Sequence, residues 1–135
     1  MGTRSTTKIY EQYTDGSKEL LLAIYKQYDG YTDGFGTDLK DFIKKCLIVN
    51  GISGGYPEGK LVCNGAGCFA LQLVNEFKDG AGGVYATSKD DEQEYNYEIT
   101  FKYKDNKHDV IEFVCKDEPE FNETFKVADN GEIEQ

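Results

Sequence analysis

Two runs, Thr6–Tyr13 (TTKIYEQY) and Glu19–Tyr28 (ELLLAIYKQY), flank Thr14-Asp15-Gly16-Ser17, and their reading decides the fold class. The first run is β-branched and aromatic with rough alternation, and the second is again apolar. Asp-Gly between two such runs is a short-range hairpin signal. Leu20–Tyr25 has helical propensity as well, but the turn chemistry favours a second strand. Beyond the hairpin, Asp29–Gly36 (DGYTDGFG) packs three glycines and two aspartates into eight residues and reads as a loop. Thr37 or Asp38 then caps a helix reaching about Cys46, with Leu39, Phe42, Ile43 and Cys46 at helical spacing. Val49–Gly59 (VNGISGGYPEG) is a glycine-rich connection. A second helix is expected from Gly67 to Phe77, burying Cys68, Leu71, Val74 and Phe77, and Asp79–Gly83 ends it. Strand patterns return at Val84–Thr87, Glu94–Tyr103, Val110–Cys115 and Phe121–Val127, with Asp105-Asn106-Lys107 as the turn between the middle two. This order predicts an α+β domain. Its mainly antiparallel sheet is built from the N-terminal hairpin and three or four C-terminal strands, with two helices packed on one face.

The 135 residues suit a single domain over 1–135, and the acidic tail from Ala128 is expected to fray. Against 15 Lys and Arg stand 25 Asp and Glu, a formal net charge of −10. That long-range field repels duplex nucleic acid and anionic membrane, so neither is an expected partner. A small anionic ligand would need a locally basic pocket, and Arg4, Lys8 and Lys26 are the cations placed to make one. No apolar run of about 18 residues is present to cross a bilayer. Met1–Thr7 lacks the apolar region of an export signal, so Cys46, Cys63, Cys68 and Cys115 are expected to be reduced thiols in a cytoplasmic protein.

Three segments carry candidate chemistry. The first, Tyr25–Gly36, joins a strand end to a helix start. Its glycines allow close backbone approach to a phosphate, Lys26 adds a cation, and Tyr28, Tyr31 and Phe35 supply flat faces for a base. The Asp29–Asp33 spacing hints at calcium, but the EF-hand pattern fails: Tyr31 takes the third position, and Lys40 stands where the bidentate glutamate belongs. The second is Arg4-Ser5-Thr6, where the only arginine sits beside hydroxyls suited to a phosphate or a base. The third, Cys63–Ala70 (CNGAGCFA), contains G-x-G-x-x-A before a helix. No repeating βαβ pattern surrounds it, so it is not a Rossmann fingerprint, but its glycines can form a phosphate-accepting helix start. Cys46 and Cys115 fall in apolar patterns typical of buried thiols, which argues against a zinc site. The one histidine, His108, lies in a polar turn and is expected to be solvated. No catalytic residue, metal ligand or cofactor is assigned.

Residues 1–100 carry a pattern that extends beyond these motifs. The start Met1-Gly2-Thr3-Arg4-Ser5-Thr6, the run Tyr28-Asp29-Gly30-Tyr31 and Gly34-x-Gly36-x-x-Leu39 resemble a family of small phage-encoded proteins with a "TRS" start and a "(W/Y)DGY-x-x-G-x-G" motif. Asn50–Gly54, Asn64–Cys68 and Tyr95-Asn96-Tyr97-Glu98 look like members of the same family. Thr32 departs from the pattern, since proline is common there, and this alters loop stiffness more than chemistry. The chain is similar to anti-CBASS sponge proteins. That resemblance implies a homo-oligomeric phage immune-evasion protein in the cytoplasm of the infected cell, one that binds a cyclic dinucleotide signal without cleaving it and is not an enzyme. On this reading Arg4, Ser5, Lys26, Tyr28, Asp29, Tyr31, Phe35 and Gly36 form the ligand site. The alternative is an acidic interaction protein that docks a host protein, for example as a nucleic-acid mimic.

Overall fold

In the computed structural model, which describes residues 2–52, 54–104 and 107–134, the two N-terminal runs form β1 (Ser5–Gln12) and β2 (Lys18–Lys26). They pair antiparallel from Ser5 opposite Lys26 to Gln12 opposite Lys18. Asp15 holds the turn, its Oδ1 accepting from the Ser17 N–H at 2.9 Å and the Ser17 hydroxyl at 2.6 Å. The first helix, α1 (Thr37–Lys44), follows a single π-type turn over Thr32–Gly36. It stops short of Cys46. The run Cys-Leu-Ile-Val is a strand, β3 (Cys46–Val49), which pairs in parallel with β4 (Leu61–Asn64). Sequence spacing alone carries α1 to Cys46 because that residue continues the helical repeat of Leu39, Phe42 and Ile43; the partner strand that captures it, Leu61–Asn64, is distant in sequence.

The second helix, α2 (Gly65–Phe77), begins two residues earlier than the pattern suggests, and its buried face is Ala66, Phe69, Ala70 and Leu73. Leu71 is 70% exposed. The rotation is explained by Phe69, whose ring lies 5.4 Å from Phe42 and 4.9 Å from Phe101. Burying that aromatic removes more apolar surface from water than burying Leu71 would. Four more strands follow: β5 (Val84–Ala86), β6 (Tyr95–Lys104), β7 (Lys107–Cys115) and β8 (Glu123–Lys126). Asp105 and Asn106 of the expected turn lie outside the described residues.

The main sheet has the order β5-β2-β1-β6-β7-β8. All neighbours are antiparallel except β1 and β6, which run parallel with Ser5 beside Tyr95 and Gln12 beside Lys102. The fold is therefore α+β, with a mostly antiparallel sheet. Both helices cover the face carrying Ile9, Ile24, Ile99, Phe101, Ile111 and Phe113. The tail does not hang free, as its acidic composition suggests it should. Ile48 N–H donates to Gly131 O at 2.8 Å, Ala128 N–H donates to Glu132 O at 2.8 Å, and Ile133 is 3% exposed. Backbone hydrogen bonds to β3 and β8 and the burial of Ile133 together hold this acidic stretch in place.

At one end of the sheet the Tyr97 hydroxyl, fully buried, donates to Gly30 O at 2.6 Å. A Cβ on Gly36 would stand 2.9 Å from the Tyr97 hydroxyl oxygen and 3.0 Å from the Phe121 ring. This contact ties the 28–36 loop to β6. Tyr97→Phe should therefore cost about 1–3 kcal/mol, because it leaves a buried carbonyl without a donor. Urea unfolding measures it, and a loss below about 0.5 kcal/mol would mean that the bond is not the tie.

Candidate functional site

The eight residues expected to bind ligand do gather at the Tyr97 end, but they divide into two kinds. Arg4 is exposed, and its backbone N–H faces Glu94 Oε1 at 3.5 Å. Tyr28 and Tyr31 are 58% and 40% exposed, and the Tyr31 hydroxyl lies 3.4 Å from Asp29 Oδ1. Asp29 adopts φ 59, a left-handed conformation that an aspartate tolerates better than most residues. Lys26 is half-buried, with its Nζ 5.3 Å from the Phe35 ring centroid. The other three are structural. Phe35 is 1% exposed and packs edge-on against Phe77 at 5.0 Å. Gly36 is buried against Tyr97. Ser5 is fully buried, with an unpartnered hydroxyl, under Gly30. A Cβ at Gly30, Gly34 or Gly36 would meet Ser5, Asp29 or Tyr97, so these glycines make room for neighbouring protein atoms.

A cavity of about 540 Å³ opens at the opposite end of the sheet. Three groups of residues build it. The ends of β1 and β6 and the start of β7 supply Glu11, Tyr103 and His108; the start of α2 supplies Gly65–Gly67; and Asn50, Gly51 and Tyr56 form a wall beside the 127–131 turn. Two of the sequence motifs meet here, since Gly51 N–H donates to Asn64 Oδ1 at 2.8 Å. Gly65 takes φ +82 as it opens the helix, with the His108 ring 3.7 Å from where a Cβ would be. None of the eight expected residues is among the described lining residues.

His108 is not solvated. Its side chain is only 7% exposed, and Nε2 lies 3.0 Å from Glu11 Oε2. The Tyr103 hydroxyl donates to the same oxygen at 2.7 Å, and the Tyr13 ring stacks on Tyr103 at 5.5 Å. Since a carboxylate only accepts, Nε2 carries the proton of the neutral ring. Burial pushes the His108 pKa below its ordinary value, and the bond to Glu11 offsets this only in part. For Glu11, burial alone would raise the pKa, but the hydrogen bonds from Tyr103 and His108 outweigh it and hold the carboxyl below its usual range. Burial, then the Glu11 bond, pushes Tyr103 up to about 12. The Tyr13 hydroxyl also donates to Glu11 Oε1 at 3.3 Å, so at neutral pH the group is an ionised carboxylate with three neutral partners, His108, Tyr103 and Tyr13. Alternation along β1 held a signal for it: Thr7, Ile9 and Glu11 share a face, so an acid follows the apolar phase inward. Neither Tyr103 nor His108 carries such a mark.

Gly65–Gly67 at the start of α2 line the cleft, where a helix leaves its first N–H groups without intrahelical partners, Tyr56 adds a ring, and the side-chain amides of Asn50, Asn64 and Asn130 stand at its wall. Among the described residues no cluster of three His, Cys, Asp or Glu is placed to hold a metal ion. Compared with protein-family models, curated proteins and solved structures, the chain matches none.

The buried histidine predicts a pH dependence. A folded pKa below the unfolded value of about 6.5 means that the unfolded chain binds the proton first on acidification. The stability contributed by neutral His108 is complete above about pH 6.5 and is lost as pH falls through the lower folded pKa. Glu11 adds a second loss at more acid pH, below the ordinary carboxyl range. Urea midpoints should fall between pH 7 and 5, and His108→Gln should flatten that limb. An equal slope in the variant would mean that His108 does not titrate with unfolding.

Proposed function

We propose that this protein is a ligand-binding module that takes a small nucleotide into the cleft at the start of α2 and holds it intact. The observation that carries the reading is convergence. Asn50-Gly51 and Asn64–Gly67, two motifs separated in sequence, meet the hydrogen-bonded Glu11–His108–Tyr103 group around one cavity of about 540 Å³. That volume falls in the range of about 300–1,000 Å³ typical of small-molecule sites. The parts offered to a nucleotide are backbone amides at a helix start for phosphate, the Tyr56 ring for stacking and side-chain amides for base edges or ribose. The basic pocket expected from the sequence is not what lines this cleft, whose charged residues are Glu11 and Asp129, so these neutral donors would have to carry the phosphate. The resemblance to phage anti-CBASS sponges supplies the ligand class, a cyclic dinucleotide, and with it sequestration in the host cytoplasm by a homo-oligomer. The 28–36 motif then serves to close the sheet end, and the ligand contacts shift to the later motifs.

Thermal shift at physiological salt against cyclic di- and trinucleotides and ADP-ribose derivatives tests this. A ligand at 100 times its Kd stabilises the fold by about 2.7 kcal/mol, a shift of several degrees. Recovery of intact ligand after denaturation separates sequestration from hydrolysis. Gly67 provides the variant. A Cβ there meets nothing within 4 Å, and its backbone is helical, so Gly67→Leu should fold normally while filling the cleft. It should abolish the shift, whereas Tyr28→Ala should keep it. The reverse pattern would return the site to the 28–36 loop, and a flat panel would favour docking to a host protein.

A further inference from the structure

Cys46 and Cys63 occupy neighbouring strands, β3 and β4, on either side of the segment 47–62 that contributes Asn50, Gly51 and Tyr56 to the cleft. Both side chains are fully buried, and their Sγ atoms lie 3.8 Å apart, in contact but unbonded. Cys115 lies on β7 in the main sheet, and Cys68 is the partly exposed cysteine on α2. The Cys46–Cys63 pair is set apart by its direct sulfur–sulfur contact, since Cys115, though equally buried, lies on another sheet and Cys68 is partly exposed. We propose that Cys46 and Cys63 form a modification site, an oxidisable dithiol that closes to an intramolecular disulfide under hydrogen peroxide and staples one wall of the cleft. Cys46 stands opposite Leu61 and Cys63 opposite Ile48, a diagonal pair, so closing the sulfurs from 3.8 Å to about 2 Å requires the short β3–β4 backbone to shift as well as the side chains to rotate.

The shared hydrogen bond sets the order of events. It holds the Cys63 pKa below the ordinary thiol value, while the same bond, then burial, pushes Cys46 far above it. The Cys63 thiolate attacks one peroxide oxygen and breaks the O–O bond, giving a sulfenic acid and hydroxide, which is protonated to water. The Cys46 sulfur then attacks the Cys63 sulfur, forming the S–S bond and releasing the second oxygen as water. Two thiols and one peroxide give one disulfide and two waters, with two electrons passing from sulfur to oxygen. Burial makes the reaction slow, since it waits on local opening of a sheet whose strands are four residues each. The inference does not depend on what fills the cleft.

The test exposes the folded full-length chain to graded hydrogen peroxide, followed by intact mass, a non-reducing peptide map and melting. The expected result is a loss of about 2 Da, a Cys46–Cys63 cross-linked peptide, reversal by dithiothreitol, and a melting temperature raised by loop closure. Cys68→Ser should retain the 2-Da loss, and Cys63→Ser should abolish it. The proposal fails if mass instead rises in steps of about 16 Da while Cys46 and Cys63 stay alkylatable after unfolding. It fails equally if covalent dimers form through Cys68 with that pair still reduced. The peptide map on unsubstituted protein decides the matter even if Cys63→Ser does not fold.

Discussion

The parallel pairing of Ser5–Gln12 with Tyr95–Lys102 is the constraint on which the rest of the molecule depends. It joins the N-terminal hairpin to the C-terminal meander across some ninety residues, and closing so long a loop costs entropy before any contact forms. Burial of Ile9, Ile99 and Phe101 against Phe69 and Phe42 offsets that cost. The same pairing makes both ends of the sheet. At one end it places Tyr97 beneath Gly30, and at the other it sets Glu11 beside Tyr103 and His108.

Local signals in the sequence were sufficient for local structure. The Asp15-Gly16 turn, the alternation of the late strands and the helical spacing of Leu39, Phe42 and Ile43 all correspond to real elements. What escaped was long-range. Cys46–Val49 is a strand only because Leu61–Asn64 lies beside it, and α2 turns Leu71 outward only because Phe69 finds Phe101. Ile133 was lost in an acidic tail for the same reason, since a single buried residue has no periodicity to read. His108 looked solvated because its neighbours in sequence are polar; its neighbours in space are Phe101, Tyr103 and Glu11.

The site shows the same division. Gly30, Gly34 and Gly36 marked a place where backbone must come close to something, and that something is Ser5, Asp29 and Tyr97 of the same chain. Gly65-Ala66-Gly67 was legible as a helix start able to accept an anion, and that start does face a cavity. Glu11, Tyr103 and His108 complete the cavity by topology alone. A net charge of −10 still opposes anions at long range, so binding there would rest on short-range donors and stacking and would weaken little with salt.

The central claim is the location of the site, and amide hydrogen exchange with the best-binding nucleotide of the panel tests it most directly. The account predicts new protection at Gly51, at Asn64–Gly67 and in the 128–131 turn, with the 28–36 amides unchanged. Protection confined to Thr3–Ser5 and Tyr28–Gly36 would contradict it and place the ligand at the other end of the sheet.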